Sequence, residues 1–201
     1  MIEELRRNPN SPSAQGNLGS LLKENPSLVQ IPPQKLSSTE SAAIRNSWGL
    51  VLKKQQKLPE AIEQFRQAIA LNPQDADAYY NLANALSDLN DIPGAVKEYK
   101  AAIGLRPNYA AAYNNMGHAF HRDKKLSEAI EQFRQAIAFN PQDADAHYNL
   151  ANALFDQEGL EDAVKAYQMA IKIAPDYTAA RNNIDYALKA LQSSSPSPTV
   201  K

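Results

Sequence analysis

The chain reads as an all-helical array of stacked helical hairpins, and three observations predict it. Residues Leu58–Asp88 (LPEAIEQFRQAIALNPQDADAYYNLANALSD) return as Leu126–Asp156 (LSEAIEQFRQAIAFNPQDADAHYNLANALFD), differing at four of 31 positions: Pro59/Ser127, Leu71/Phe139, Tyr79/His147 and Ser87/Phe155. The offset is 68 residues, and a weaker echo sits midway between the copies and again after the second. The underlying period is therefore 34 residues, a length that marks repeated helical hairpins, each stacked on its neighbours. Within each period the pattern Ala-x3-aromatic-x2-Ala places three residues on one helical face.

Residues 1–40 are an irregular N-terminal segment that reads as a partial repeat plus linker. Ile2–Arg7 ends a helix at Asn8-Pro9, and Ser11-Pro12 supplies an N-cap and a first-turn proline for another. That second helix runs to about Glu24 and gathers Leu18, Leu21 and Leu22 on one side, where they would cap the first repeat. Asn25-Pro26 closes it, and Pro32-Pro33 keeps the following stretch extended.

From residue 41 to 192 the repeats take over. Ala61, Phe65, Ala68 and Pro73 recur as Ala95, Tyr99, Ala102 and Pro107, then as Ala129, Phe133, Ala136 and Pro141, then as Ala163, Tyr167, Ala170 and Pro175. Alanines admit a neighbouring helix closely, the aromatic fills the space between them, and proline stops the second helix. The first helix of each unit carries a large-small-x2-large pattern: Trp48-Gly49-x2-Leu52, Leu82-Ala83-x2-Leu86, Met116-Gly117-x2-Phe120 and Leu150-Ala151-x2-Leu154. Polar breaks such as Leu89-Asn90-Asp91 and Gln157-Glu158-Gly159 separate paired helices. A further first-helix pattern, Asn183-Ile184-Asp185-x2-Leu188, lacks a second helix and caps the array. Residues 193–201, SSSPSPTVK from Ser193 onward, have the small, polar, proline-containing composition of a disordered tail.

These motifs resemble the tetratricopeptide-repeat family, with repeats at about 42–75, 76–109, 110–143 and 144–177 and a capping helix after them. Arg45, His147 and Arg181 depart from it, standing where the family usually has an aromatic or aliphatic residue. The resemblance implies a right-handed superhelix of antiparallel helix pairs whose first helices line a concave groove. It also implies a binding role rather than catalysis.

Composition narrows the function classes. Lys+Arg 21 against Asp+Glu 22 gives a net charge of −1, without the concentrated basic surface that nucleic acid or an anionic membrane would require. The absence of cysteine excludes a disulfide framework, a thiol nucleophile and a cysteine-based zinc site. No apolar run approaches the ~18 residues of a membrane span, and the N-terminus lacks the apolar core of a signal peptide. The default expectation is a cytoplasmic, monomeric protein that needs no cofactor and inserts into no membrane.

Catalytic motifs are missing too. The seven glycines are scattered rather than gathered in a phosphate loop, and carboxylates such as Asp75 and Asp143 sit at helix starts, where capping explains them. His118 and His121 share one side of a helix, a spacing able to bind a metal, with His147 in the next repeat. No carboxylate or cysteine stands at ligand spacing beside the pair, so they read as groove-lining polar residues and not as a metal site.

Asn81, Asn115, Asn149 and Asn183 recur every 34 residues, each just before the large-small pair. On the helix carrying Asn81, the residues Tyr79, Leu82, Ala83 and Leu86 form the core stripe. Asp77, Tyr80, Asn81, Asn84 and Asp88 fall on another side, with Tyr148 and Asn152 matching Tyr80 and Asn84 in the last repeat. A carboxamide carries both donor and acceptor, so it can pair with a peptide backbone without reading its side chains. The candidate peptide-binding residues are therefore Asn81, Asn115, Asn149, Asn183, Asn84, Asn152, His118, Tyr80 and Tyr148. Similar asparagine ladders grip extended polypeptide in the repeats attached to O-linked N-acetylglucosamine transferases. The alternative is that the amides bond to loops or helix ends within the array.

Repeats that clamp a chaperone's C-terminal carboxylate present lysine and arginine from the first helices. Here the corresponding places hold Asn46, Asn81, Ala111 and Asn115. The last turns of the first helices instead alternate Lys54, Asp88, Arg122 and Asp156, a row suited to ion pairs between neighbours. The sequence thus predicts a scaffold or adaptor holding a short extended segment of another protein. Two alternatives are a substrate-docking or regulatory module of a larger enzyme such as a glycosyltransferase, to which a start at Met1 inside a partial repeat would point, and a self-assembling repeat protein.

Overall fold

The computed structural model describes Ser20, Lys23, Glu24 and residues 37–194. The readings of Ile2–Arg7, of Leu18, Leu21 and Leu22, of the proline stretch to Pro33 and of residues 195–201 lie outside the described residues.

Between residues 37 and 194 the chain forms nine helices and no strand. They are α1 (Ser38–Lys54), α2 (Leu58–Leu71), α3 (Ala76–Asp88), α4 (Ile92–Leu105), α5 (Ala110–Arg122), α6 (Leu126–Phe139), α7 (Ala144–Asp156), α8 (Leu160–Ile173) and α9 (Thr178–Ser194). The architecture is an all-α helical-repeat solenoid, each odd helix except the last pairing with the even helix that follows it. Two compact units divide between Pro107 and Asn108. The first contains the hairpins α1/α2 and α3/α4; the second contains α5/α6, α7/α8 and the closing helix α9. That last helix extends to Ser194, two residues into the stretch whose composition reads as tail.

The alanine–aromatic spacing produces the core of each unit. Ala61, Phe65, Ala68, Ala95, Tyr99 and Ala102 are buried in the first unit, and Ala129, Phe133, Ala136, Ala163, Tyr167 and Ala170 in the second. The aromatic alternates between Phe and Tyr with a two-repeat period, and the small residue opposite it alternates in step. Gly49 and Gly117 face Phe65 and Phe133, where a methyl group on glycine would come 2.5 Å and 2.8 Å from the nearest ring carbon. Ala83 and Ala151 occupy the same place in the repeats that carry Tyr99 and Tyr167. Each phenylalanine ring thus lies directly on backbone that only glycine exposes.

Every hairpin turn repeats one geometry. Gln56, Asn90, Lys124 and Glu158 adopt left-handed backbone with φ of 62, 63, 61 and 66°. The following N–H groups of Lys57, Asp91, Lys125 and Gly159 then donate to Leu52, Leu86, Phe120 and Leu154 carbonyls at 2.9–3.0 Å. This is the six-to-one bond of a Schellman ending, which satisfies carbonyls that the finished helix leaves open.

The acidic helix starts are caps. Asp75 Oδ1 accepts from the Asp77 and Ala78 N–H groups, and Asp143 Oδ1 does the same for Asp145 and Ala146. Burial pushes the Asp75 carboxyl above the ordinary carboxylate range, against the lowering effect of the bond from Ala78. Replacing Asp75 by Ala should cost about 0.5–2 kcal/mol, read as a lower Tm. Asp75→Asn keeps the cap and removes the buried charge. Because the folded pKa is raised, ionisation subtracts stability as pH rises through it. The Asn variant should therefore match or exceed the native protein at neutral pH and lose that margin in acid.

Candidate functional site

In the first unit the first-helix face is built from α1 and α3. Asp77, Tyr80, Asn81 and Asn84 are half-buried there, while Leu82, Ala83 and Leu86 point into the core. Asn81 Nδ2 donates to Asn46 Oδ1 on α1 at 3.0 Å. Tyr99 reaches up from α4 and donates its hydroxyl to Asn84 Oδ1 at 2.6 Å, with the Tyr80 ring 6.1 Å away. Arg106 forks onto Asp77 with both guanidinium nitrogens, at 2.9 and 3.0 Å.

The second unit repeats this plan along α5, α7 and α9. Asn149 Nδ2 donates to Asn114 Oδ1 at 3.2 Å. Asn183 Nδ2 donates to the Tyr148 hydroxyl at 3.2 Å and to Asn152 Oδ1 at 3.1 Å. Tyr167 donates to the same Asn152 Oδ1 at 2.6 Å. Burial pushes the Tyr167 phenol up to about 12, so its proton stays on the oxygen across the physiological range. Tyr148 lies between the Tyr167 and Tyr177 rings at 6.0 and 5.0 Å, and Tyr177 donates to Asp145 Oδ1 at 2.7 Å. Asn115 is half-buried on α5 and is engaged as well.

The donor sides of Asn81, Asn149 and Asn183 each link a first helix to the preceding one in the same unit, through side chains rather than through loops or helix ends. In Asn81, Asn149 and Asn183 the acceptor Oδ1 has no partner among the described residues. This ladder offers carbonyl oxygens; Asn183 spends both of its N–H groups, while Asn81 and Asn149 each spend one of two.

Three of these links run at a separation of 35 residues, one more than the repeat, and the Asn183–Asn152 bond runs at 31. Residues equivalent by the repeat point in the same direction and cannot meet. A bond across two side-by-side helices needs residues on facing flanks, and successive residues differ by about 100° around the axis. The ion row follows the same rule. Asp88 pairs with Lys53 at 2.9 Å and Asp156 with His121 at 2.8 Å. The partners are thus Lys53 and His121, each one residue before Lys54 and Arg122.

The three histidines part ways. His118 is exposed in the place that Asn84 and Asn152 occupy in other repeats, His121 is held by Asp156, and His147 is buried with Nε2–H donating to the Pro141 carbonyl at 3.1 Å. No group of three His, Cys, Asp or Glu among the described residues is placed to hold a metal. Arg45, where the family pattern would place an apolar group, donates to Gln64 Oε1 at 2.9 Å, and Arg181 is exposed.

One feature of this face is invisible in the repeat pattern. Between α7 and α9 lies a cavity of about 410 Å³ lined by His121, Asn152, Phe155, Asp156, Tyr167, Asn183 and Tyr186. Its signal in the sequence is the Ser87/Phe155 difference between the near-identical copies.

Stacked helical hairpins, capped by an unpaired helix and carrying a polar first-helix face, define a helical-repeat module for protein interaction. The TPR repeat profile matches residues 49–89, 83–124 and 123–158, and the tetratricopeptide repeat profile matches 144–177. The chain belongs to the tetratricopeptide-repeat family. Among solved structures it is similar to YrrB, described as a TPR protein with an unusual peptide-binding site, at TM-score 0.67 and 24% identity, covering 90% of this chain and 95% of that one. It is also similar to MamA from Desulfovibrio magneticus RS-1, at TM-score 0.63 and 22% identity, covering 76% and 96%. The first TPR of Spaghetti (RPAP3), solved with the HSP90 peptide SRMEEVD, matches at TM-score 0.58 and 24% identity, covering 59% and 94%. No curated protein matches the sequence. No helix among the described residues is long and apolar enough to cross a membrane.

Proposed function

We propose that the first-helix face of a unit holds a short extended segment of a partner protein, chiefly through the segment's backbone N–H groups. The observation that carries this is the half-buried amide ladder. Asn81, Asn149 and Asn183 are each fixed by a donated bond, and each keeps an Oδ1 without a partner among the described residues. Fixing the donor side removes rotamer freedom before any ligand arrives, which lowers the entropy cost of binding. Asn84 and Tyr80 complete the proposed face in the first unit, and Asn115, Asn152, His118 and Tyr148 complete it in the second, the tyrosines lending flat apolar surface beside the amides.

The kinship with a YrrB structure described by its peptide-binding site, and with an RPAP3 repeat solved on an HSP90 peptide, supports a peptide as the ligand class. An acidic peptide of the SRMEEVD type fits this chain poorly. The positions a carboxylate clamp would use hold Asn46, Asn81, Ala111 and Asn115, and Arg106 is already forked onto Asp77. The test begins with random 12-mer peptides displayed on phage and panned against the immobilised full chain. Selected peptides are then titrated against the native protein and against variants of the asparagine ladder.

A further inference from the structure

The cavity between α7 and α9 has walls and a floor of different chemistry. Its walls are two rings, Phe155 from α7 and Tyr186 from α9, the latter 66% exposed despite its size. Its floor is the amide cluster. Tyr167 and Asn183 both donate to Asn152 Oδ1, which orients the Asn152 amide and leaves its Nδ2 without a partner among the described residues. Asn183 spends its donors on Tyr148 and Asn152 and keeps its Oδ1. Two residues lining the cavity thus keep an amide N–H and a carbonyl, the complement of a single peptide unit. At the rim, Asp156 Oδ2 is held by His121, while its Oδ1 has no partner among the described residues.

The near-duplicate copy provides an internal comparison. Its equivalent of Phe155 is Ser87, on a helix otherwise almost identical. The second copy carries an aromatic wall where the first has serine; the ring packs partly against the core and lies beside an exposed tyrosine of the capping helix. A volume of about 410 Å³ lies toward the small end of the ~300–1,000 Å³ range of ligand cavities, fitting one side chain with its peptide unit.

Resting on the peptide-binding reading above, we propose that this cavity is a specificity pocket for one aromatic residue of the bound segment, a tyrosine or tryptophan. Its ring packs between Phe155 and Tyr186, its hydroxyl or indole N–H donates to Asp156 Oδ1, and its peptide unit pairs with Asn152 Nδ2 and Asn183 Oδ1. Offset or edge-on ring packing favours an aromatic guest over an aliphatic one of equal area.

The probes are N-acetyltyrosinamide and N-acetylleucinamide, titrated into the full chain while the side-chain amide resonances of Asn152 and Asn183 are followed by 1H–15N NMR. The tyrosine probe should shift both resonances and reach half-saturation at a concentration at least fivefold below the leucine probe. Phe155→Ser, which restores the residue of the first copy, and Tyr186→Ala, at an exposed ring, should each weaken the tyrosine probe at least fivefold. Helicity of both variants is checked by circular dichroism. Equal half-saturation for the two probes, or undiminished binding in a folded Phe155→Ser or Tyr186→Ala variant, overturns the pocket. So does binding that appears only after residues 195–201 are deleted, since the chain's own end would then be the occupant. Panned peptides that depend on the asparagine ladder but carry no preferred aromatic residue would overturn the pocket and leave the peptide-binding reading standing. Failure to select any peptide would count against that reading instead.

Discussion

Replacing Phe133 by Ala should lower the stability of the chain by about 3–5 kcal/mol, the cost of emptying a fully packed aromatic site. Phe133 is 1% exposed and lies against Gly117 in a core otherwise made largely of alanine, which cannot collapse to fill the hole. The partner position provides the control. A methyl group at Gly117 would meet Phe133 Cδ1 at 2.8 Å, so Gly117→Ala should cost ~1–3 kcal/mol by overpacking. Combining Gly117→Ala with Phe133→Leu should cost less than the sum of the two single changes, because they share one contact. Chemical denaturation monitored by circular dichroism measures all four variants, Phe133→Leu alone included. Additive losses would mean that the glycine–phenylalanine pairing is not what sets the helix spacing.

The second large effect is on binding. Asn115→Ala with Asn149→Ala should weaken a panned peptide by ~1–3 kcal/mol, or about 5–150-fold, through the loss of two amides. Stability will also move, because Asn149 donates to Asn114 across the helix pair and Asn115 is engaged as well. Each such bond is worth ~0.5–1.5 kcal/mol, so the melt should shift by about that much per bond while affinity falls further. Titration well below the melting range separates the two effects. A variant with lowered Tm and native affinity would reduce the ladder to a strut between helices.

Much of this was legible in the sequence, for identifiable reasons. The alanine–aromatic spacing gave the buried face of every second helix, because close helix crossings tolerate few residue types. Asp75 and Asp143 were readable as caps from position alone, and the structure shows both accepting from the first-turn N–H groups. The lateral links were not legible. A repeat aligns equivalent residues, whereas neighbouring helices meet through non-equivalent flanks, so Lys53 and His121 were passed over for Lys54 and Arg122. The turn geometry was hidden as well. Gln56, Lys124 and Glu158 occupy left-handed backbone that ordinarily signals itself through glycine or asparagine, and of the four turns only Asn90 does so. The α7–α9 cavity depends on how a capping helix lies beside a repeat, which no periodicity encodes.

N-methylation of the ligand tests most directly whether the ladder reads peptide backbone. A panned peptide should be remade as a series with a single N-methyl group at each internal amide in turn, and each member titrated against the native chain. N-methylation deletes one N–H and leaves every side chain in place. If the Oδ1 atoms of Asn149 and Asn183 in the second unit accept from the peptide, N-methylation at spaced positions should weaken binding severalfold, and those positions should lose their sensitivity in the matching Asn→Ala variant. Tolerance of N-methylation along the whole peptide, with affinity governed by its side chains alone, would contradict the account.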